Sequence, residues 1–399
     1  MSTGTAPFTF DPFVYEDFQT DPGTWEIYTE LRESHPVYYN ADLGFWALSR
    51  FDDVKKAARD WKTFSSADGV TIDDIAGIVG PGNFIDMDPP RHDVYRDLVK
   101  DWFSVNAVNT LQQVIAEEAE ARVKQIVARG GGDLAQELSF PLPVSTIAHV
   151  LGLPSSDVPM LAEWVQLMAS RDSGSLSVPE AARSTGDKIH HYFEEFLAER
   201  RRNPGSDVVG GLAHAEAEGA PIGDGALGML TLLLEAGSET TAALISNAVI
   251  LFARHPDQRA LLLENPQLLD AAVEEVLRVE PSLPYTVRTT RTSVELHGQT
   301  IPEGAKVALV FAAANRDPRR WEEPDRFNIA RQRKRHIAFN EGVHSCLGSV
   351  LAKMETRTVL SAILKHMPDY VLNGEIVRTP TYTITRGVSH LPVGVAPSS

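Results

Sequence analysis

Apolar positions along most of the chain repeat with the spacing of an amphipathic helix. Between residues 22 and 35, Trp25, Tyr28 and Leu31 fall on one face, with Arg32 beside them. This is the pattern of a helix that packs one side on a core. The next predicted elements are two short strands and a helix, at Val37–Tyr39, Phe45–Leu48 and Phe51–Arg59.

The later part of the chain continues this mainly helical pattern. Residues 105 to 203 form helical runs that break where glycine or proline clusters, at Gly130–Gly132, Pro141–Pro143 and Pro154. The segment Arg288–Val310 instead approximates a two-residue period, punctuated by glycine and proline, which predicts short strands. The whole pattern predicts a mainly α protein with small β-sheets.

The longest apolar run is Ala226–Phe252, and its length alone would allow a membrane-spanning helix. Glu235, Glu239 and Asn247 interrupt its middle, where hydrocarbon makes polar side chains costly. A helix that is apolar on nearly every side is also the pattern of a buried central helix. We therefore expect a core helix and no membrane partner.

Composition limits the class of protein further. The 399 residues are 43% hydrophobic, enough for a sizeable core, and no linker or repeat divides them, so we predict one domain over residues 1–399. The first 24 residues do not resemble a signal peptide, and a single cysteine suits a cytoplasmic protein. A net charge of −17 argues against nucleic acid as a partner.

That single cysteine, Cys346, lies in the stretch Phe339–Gly348. It cannot form an internal disulfide or a multi-cysteine metal cluster. A free cysteine is often a small buried hydrophobe. Here, however, Gly342 and Gly348 flank it and a helical run, Leu347–Leu364, follows. A thiolate at a helix N-terminus is stabilised by free amides, and such a sulfur can be an axial ligand of haem iron.

The motif Phe-x-x-Gly-x-His-x-Cys-x-Gly resembles the haem-ligand loop of the cytochrome P450 superfamily. The resemblance implies heme b, with Cys346 and Gly348 on the ligand loop, Phe339 beneath the haem and His344 on a propionate. It also implies the family fold, a triangular helical prism around a buried haem. Asn340 replaces the usual glycine after the phenylalanine; asparagine tolerates left-handed angles, so we expect the turn to be kept.

Two further segments match haem-binding positions of the same family. The sequence from Asp88 to Arg96 opens a predicted helix that continues through Phe103, with His92 and Arg96 one turn apart. An isolated His/Arg pair is usually a solvated surface, but the matched motif implies that both bind propionates. Arg288, ten residues before Gly298, occupies another position that in relatives reaches a propionate.

The central helix carries the predicted catalytic residues. Ala236 and Gly237 are small enough to let a flat macrocycle or a diatomic molecule approach. The segment from Ala236 to Thr241 resembles the family's oxygen-activation segment, which implies that Glu239 and Thr240 relay protons to dioxygen. The alternative is that Thr240 only bonds back to a carbonyl of its own helix.

A third motif is structural. Glu275 and Arg278 lie at i and i+3 near the end of a predicted helix, Gln267–Val279. In the family, this pair belongs to a buried triad completed by a later arginine. We predict Arg326 as the third member and keep Arg331 as the alternative.

The substrate is less legible. The predicted pocket residues are mostly aliphatic and indicate a small hydrophobic or aromatic molecule: Leu233, Leu283, Val287 and Ile384. In the segment Gln166–Pro179, Arg171 could anchor an anionic substrate or pair on the surface. The irregular stretch from Phe64 to Phe84 is either a mobile lid or a surface excursion.

The electron donor is predicted from charge. Basic residues crowd before the cysteine loop of an acidic protein, at Arg331, Arg333, Lys334 and Arg335, with Lys353 and Arg357 on the next helix. This is either a solvated loop or a patch that attracts an acidic ferredoxin, itself served by a reductase.

The resemblance as a whole implies a soluble bacterial haem-thiolate monooxygenase. It would insert one atom of dioxygen by hydroxylation or O-dealkylation. Two alternatives stay open: a peroxide-driven peroxygenase, which usually lacks the acid–alcohol pair, and a haem-based gas sensor, which commonly carries a second signalling domain.

Overall fold

The computed structural model describes residues 8–12, 21–73, 79–170, 177–220, 222–223, 225–379 and 385–395. Helices dominate these residues, as the periodicity predicts. Their bounds are Asp21–Ser34, Phe51–Arg59, Arg91–Asp97, Val105–Thr110, Gln112–Ala128, Pro141–Leu151, Val158–Met168, Glu180–Arg202, Val208–Ala217, Gly225–Arg254, Pro256–Glu264, Leu269–Val279, Phe311–Ala314 and Ser349–His366.

Twelve short strands form small sheets at the side of the helices within the described residues. They are β1 Val37–Asn40, β2 Phe45–Leu48, β3 Phe64–Ser65, β4 Gly131–Asp133, β5 Thr286–Thr290, β6 Val294–Leu296, β7 Gln299–Ile301, β8 Lys306–Leu309, β9 Val371–Leu372, β10 Val377–Arg378, β11 Val388–His390 and β12 Pro392–Gly394. The largest sheet has the order β1-β2-β8-β5-β3. Only β2 and β8 pair in parallel there; the other neighbours are antiparallel. The predicted fold class, mainly α with small sheets, is confirmed.

The Gly225–Arg254 helix, called the central helix below, is 30 residues long and mostly buried. Among the described residues it is also the one helix long and apolar enough to cross a membrane, a property that core helices share. It packs against the Pro141–Leu151 and Ser349–His366 helices and belongs to the largest apolar cluster. Each fully buried leucine or isoleucine there contributes about 1.5–3 kcal/mol.

Two smaller apolar clusters flank the large sheet. One joins the first helix to the sheet through Tyr28, Leu31 and Phe45. The other covers the opposite side and contains Phe51 and Trp321. Both faces of β5 are therefore buried.

One predicted helix is wrong in its extent. The helix expected from Asp88 through Phe103 begins at Arg91 and ends at Asp97, and a 3₁₀ turn at Lys100–Phe103 follows. The prolines precede the helix because they lack the N–H that its interior needs. The break falls at Val99, which is fully buried in the largest cluster, so packing bends the chain there.

Candidate active site

The cysteine loop is a tight turn that leads into the Ser349–His366 helix. The Cys346 amide donates to the carbonyl oxygen of Phe339 at 2.9 Å, which closes the loop. Asn340 and Gly342 have φ of 60° and 72°. The Asn340 side chain also accepts from the Glu341 amide at 2.8 Å. The expectation that asparagine keeps this turn is confirmed.

Cys346 is exposed, although it lies in the interior of the fold. A Cβ on nearby Gly348 would have no other atom within 4 Å, so open space adjoins the loop. Surrounding protein raises the pKa of the thiol through desolvation, while the Gly348 amide and Arg96 lower it. Cys346 is therefore not a buried hydrophobic side chain packed in a core. Its thiol is one that a bound metal cation would deprotonate.

Four cationic or imidazole side chains from three separate segments gather next to this loop: His92, Arg96, Arg288 and His344. The rings of His92 and His344 lie 4.5 Å apart, and both side chains are buried. Among the described residues, neither Nε2 atom has a hydrogen-bond partner. We call this group the cationic chamber.

Among the described residues, the two arginines of the chamber donate hydrogen bonds only to backbone carbonyls and one hydroxyl. Arg96 donates to the Ser345 carbonyl at 2.8 Å. Arg288 donates to the Val287 carbonyl at 2.7 Å and to Thr286 Oγ1 at 3.2 Å. No carboxylate of the described residues lies within 4.0 Å of Arg288, though Asp88 and Asp86 act on it from further away.

Burial perturbs the titration of the chamber. Desolvation lowers the pKa of Arg288 to about 10. It also lowers the pKa of His344 to about 2, helped by the positive charges of Arg288, His92 and Arg96. Such an accumulation of unneutralised donors is the chemistry of a site for anionic groups.

One short stretch of the central helix is less buried than the rest and faces a recess. Ala236 is exposed and Gly237, Glu239 and Thr240 are half-buried, although the helix is buried on both sides of them. The Thr240 hydroxyl donates to the Ala236 carbonyl at 2.7 Å, so the bond back to its own helix that was the alternative to a relay role is present. The carbonyl of Thr240 accepts from Ser282 Oγ at 2.7 Å, which ties this stretch to the segment that leads into β5.

Comparison with known proteins decides the family. Cytochrome P450 107B1 of Saccharopolyspora erythraea is 33% identical over 412 residues, and the alignment covers 98% of this chain and 99% of that protein. This chain belongs to the cytochrome P450 family. A sequence profile of that family, described as Cytochrome P450, matches residues 181–368.

Other relatives agree with this assignment. Linalool 8-monooxygenase of Pseudomonas putida is 32% identical over 363 residues, covering 87% of this chain and 89% of that one. The crystal structure of CalO2 superposes with a TM-score of 0.87 at 30% identity, over 98% of this chain and 100% of that one. A myxobacterial cytochrome P450 in complex with myristic acid gives 0.88 at 30% identity, over 97% and 100%. The protein is a cytochrome P450 monooxygenase, and the family implies a haem cofactor.

The structural triad of this cytochrome P450 differs from the prediction in one member. Glu275 accepts from Arg278 at 2.8 Å and from Arg331 at 3.1 Å, and all three side chains are largely buried. Arg326 is wrong as the third member, because its side chain is exposed and pairs with Glu323. The alternative, Arg331, takes the place.

The predicted pocket residues do not all lie in one place. Leu233 is buried in the largest cluster, and Leu283 is half-buried. Val287 is wrong as a pocket residue: it is fully buried in the cluster with Tyr28, on the face of β5 opposite Arg288. Thr286 shares the Arg288 face instead. Ile384 and Arg171 lie outside the described residues.

The basic patch is smaller than predicted. Arg331 is withdrawn into the triad, and Arg335 pairs with Glu341 at 3.1 Å. Lys353 and Arg357 pair with Glu274 and Asp270. Lys334 remains exposed and donates to the Arg320 carbonyl. Arg333 is exposed and forms no ion pair with the described residues.

Sequence reasoning missed two acids beside the chamber. Asp93 lies 2.8 Å from His92 Nδ1. Asp86 receives a hydrogen bond from Asn83, and desolvation raises the pKa of its carboxyl to about 6. Asp93 could have been suspected from its place next to His92. Asp86 could not, because its surroundings come from distant segments.

Proposed function

We propose that Cys346 is the thiolate ligand of heme b, and that the cationic chamber holds the two propionates. The observation that carries this assignment is the pair of buried, unpartnered Nε2 atoms of His92 and His344, with Arg288 lacking a carboxylate partner beside them. Propionates are acceptors only and would supply the missing partners. The residues present therefore fit haem.

Other residues would pack along the macrocycle. Ala236 and Gly237 line the open stretch of the central helix, Phe339 lies in the cysteine loop, and Gly348 leaves open space. A larger side chain in place of Ala236 or Gly348 would fill the space that a flat ring needs, whereas one in place of Gly237 would meet Ile147 on a neighbouring helix. Ala236, Phe339 and Gly348 would contact the ring and exclude water from it.

When bound, haem supplies the oxygen chemistry by which one atom of dioxygen enters an organic substrate and the other leaves as water. The protein supplies position and protons. Because the Thr240 hydroxyl donates to Ala236, its oxygen lone pairs are available to accept a hydrogen bond from the recess. Glu239 precedes it and is half-buried, so its carboxyl can exchange a proton with solvent and pass it on.

The acid–alcohol pair also separates this assignment from its two rivals. A peroxide-driven peroxygenase needs no electron donor and usually has another arrangement in place of the acid–alcohol pair, and a gas sensor needs no proton relay. Glu239 and Thr240 at the open stretch therefore favour the monooxygenase.

The substrate we propose is a small hydrophobic or aromatic molecule that undergoes hydroxylation or O-dealkylation. Leu233, on the helical turn before Ala236, is the described aliphatic residue that supports this. Relatives are named for linalool oxidation and for binding myristic acid. Both are compounds with a large apolar part.

The electron donor we propose is an acidic ferredoxin, which would dock at the exposed Arg333 and Lys334. Pairing of the neighbouring cations leaves this smaller positive area on a chain of net charge −17. Such an area would steer an acidic partner to the cysteine-loop face.

The test of the haem assignment is the spectrum of the ferrous–carbonyl protein. Wild type should show the red-shifted Soret band of thiolate ligation, and Cys346→Ser should lose it. Ser349→Ala, three residues further on, is the matched control and should keep the band. A histidine-type spectrum in the wild type would reject the assignment.

The reaction is tested with Thr240→Ala. Substrate affinity should stay within about twofold, because Thr240 acts after oxygen binds, while product per electron consumed should fall about tenfold. Turnover with ferredoxin, reductase and a nicotinamide donor, compared with turnover on hydrogen peroxide, separates the monooxygenase from the peroxygenase. Unchanged product per electron would remove Thr240 from the relay.

A further inference from the structure

His92 and Asp93 form a hydrogen-bonded pair that the proposed function does not use. His92 Nδ1 lies 2.8 Å from Asp93 Oδ1. His92 is 1% exposed, whereas the Asp93 side chain is 57% exposed. The imidazole is therefore buried in the chamber, while its carboxylate partner faces solvent.

This geometry fixes one proton of the imidazole. An ionised carboxylate only accepts hydrogen bonds, so Nδ1 must carry the hydrogen. Nε2 is then either a bare lone pair, in the neutral ring, or a second N–H, in the imidazolium. The buried Nε2 has no partner among the described residues.

Only the imidazolium can bind an anionic group there. A propionate offers lone pairs, which repel a bare Nε2 and accept from an Nε2–H. We propose that Asp93 keeps His92 doubly protonated when haem is bound, so that His92 donates to the carboxylate on one side and to a propionate on the other. Asp93 is then a positioning residue for haem, and this inference rests on the proposed propionate site.

The charges around His92 are consistent with this arrangement. Arg96, one turn along the same helix, His344 from the cysteine loop and Arg288 from β5 all face the chamber. Both arginines disfavour a further positive charge, so an imidazolium requires a local counter-charge. Asp93 provides it, and the propionates would add to it. Two other acids lie nearby and are the same in wild type and variant. Asp86 acts on Arg288 beside the chamber, and Asp88 precedes the helix, where its carbonyl accepts from the His92 amide at 3.0 Å.

A plainer role for Asp93 must be separated from this one. Asp93 stands in the first turn of the Arg91–Asp97 helix, where any carboxylate interacts favourably with the helix dipole. That role would stabilise the helix at every pH and would not depend on haem. The two roles therefore differ in pH dependence.

The experiment uses the haem-loaded protein with Asp93→Asn, which can still accept from Nδ1–H but carries no charge. Asp97→Asn is the matched control, since Asp97 is exposed on the same helix and pairs with Lys100. The rate of haem transfer to apomyoglobin is measured from about pH 6 to pH 8. One pKa unit corresponds to a tenfold change.

Asp93→Asn should release haem about tenfold faster than wild type near pH 8. Near pH 6 the two rates should differ by less than about twofold, because the higher proton concentration favours the imidazolium in both proteins and the propionates still supply a counter-charge. Asp97→Asn should follow wild type throughout. Equal rates for wild type and Asp93→Asn near pH 8, or an equal acceleration at both pH values, would overturn the inference.

A second readout needs no variant. In the ferrous–carbonyl protein labelled with ¹⁵N-histidine, both ring nitrogens of His92 should be protonated near pH 7.5, and a bare Nε2 would overturn the inference. The two proposals fail in different ways: loss of the thiolate spectrum in wild type rejects the haem assignment. A normal spectrum with a neutral His92 rejects only the role of Asp93.

Discussion

Replacing Arg331 by methionine tests the triad that the structure assigns. The Glu275 carboxylate is 5% exposed and accepts from both Arg278 and Arg331. The backbone amide of Asn328 also donates to this carboxylate, at 3.0 Å. Arg331 also donates to the carbonyls of Glu322, Glu323 and Arg326. The variant keeps most of the alkyl chain and removes the donors.

The expected loss follows from these contacts. A hydrogen bond between charged groups contributes about 1.5–3 kcal/mol. The three carbonyls face solvent in part, so losing their donor adds only about 1 kcal/mol altogether. Because Arg278 still pairs with Glu275, the cost stays below that of a fully unpaired buried charge. We expect about 2–4 kcal/mol.

The assay is urea unfolding of the haem-loaded protein, followed by fluorescence and the Soret band, with Arg326→Met as matched control. Arg326 is exposed, so its loss should cost less than about 0.5 kcal/mol. In a thermal unfolding experiment, the midpoint temperature of Arg331→Met should fall by about 2–5 °C, since unfolding entropy scales with length and the chain has 399 residues. Equal losses in the two variants would refute the assignment.

Three further predictions concern the turn, the buried acid and the donor surface. Asn340→Ala should cost about 1 kcal/mol by urea unfolding, since alanine disfavours a φ of 60°, whereas Asn340→Gly should stay within about 0.5 kcal/mol. Asp86 has a raised folded pKa of about 6, so its contribution to stability is present below about pH 4 and is lost as pH rises through 6. Asp86→Asn should therefore be more stable than wild type by about 1–2 kcal/mol near pH 7, and equally stable near pH 4. Arg333→Gln should slow reduction by ferredoxin about threefold at low salt. The control Arg357→Gln should slow it by less than about 1.5-fold, because Arg357 already pairs with Asp270. Both effects should vanish near 0.5 M salt.

The sequence predicts well what depends on local periodicity. The central helix, expected at Ala226–Phe252, runs from Gly225 to Arg254, because a buried helix carries its apolar signal on every side. The helix at Phe51–Arg59 is also found with these bounds. The break after Asp97 could not be predicted, because no glycine or proline marks it and the burial of Val99 depends on distant segments.

The choice between Arg326 and Arg331 depends on a turn that lies between the two residues. Both follow Pro324 closely, and nothing in their immediate spacing says which one turns inward. The structure decides through Asn328, whose side chain accepts from the Ala330 amide at 3.0 Å while its carbonyl accepts from the Arg331 amide. That turn directs Arg331 to Glu275. An asparagine two residues before Ala330 is a turn signal, and it could have favoured Arg331.

The sequence could have shown that Val287 faces away from the pocket, but it could not have shown that the basic patch is smaller than predicted. Successive residues of a strand point to opposite faces, so an inward Arg288 already implies that Val287 faces away. The acids that pair with Lys353 and Arg357, Glu274 and Asp270, lie on another helix. No local pattern could have shown those contacts.

The cationic chamber couples haem binding to folding under the proposed assignment. Burying Arg288 and His344 without a carboxylate partner costs stability, as the lowered pKa values of both groups show. The backbone carbonyls that Arg96 and Arg288 bond hold these side chains in place, so a propionate need not order them. Binding two carboxylates would relieve the cost in the folded state and not in the unfolded one. The stability gained must therefore grow with the logarithm of haem concentration over its dissociation constant, and it must shrink when any donor of the chamber is removed.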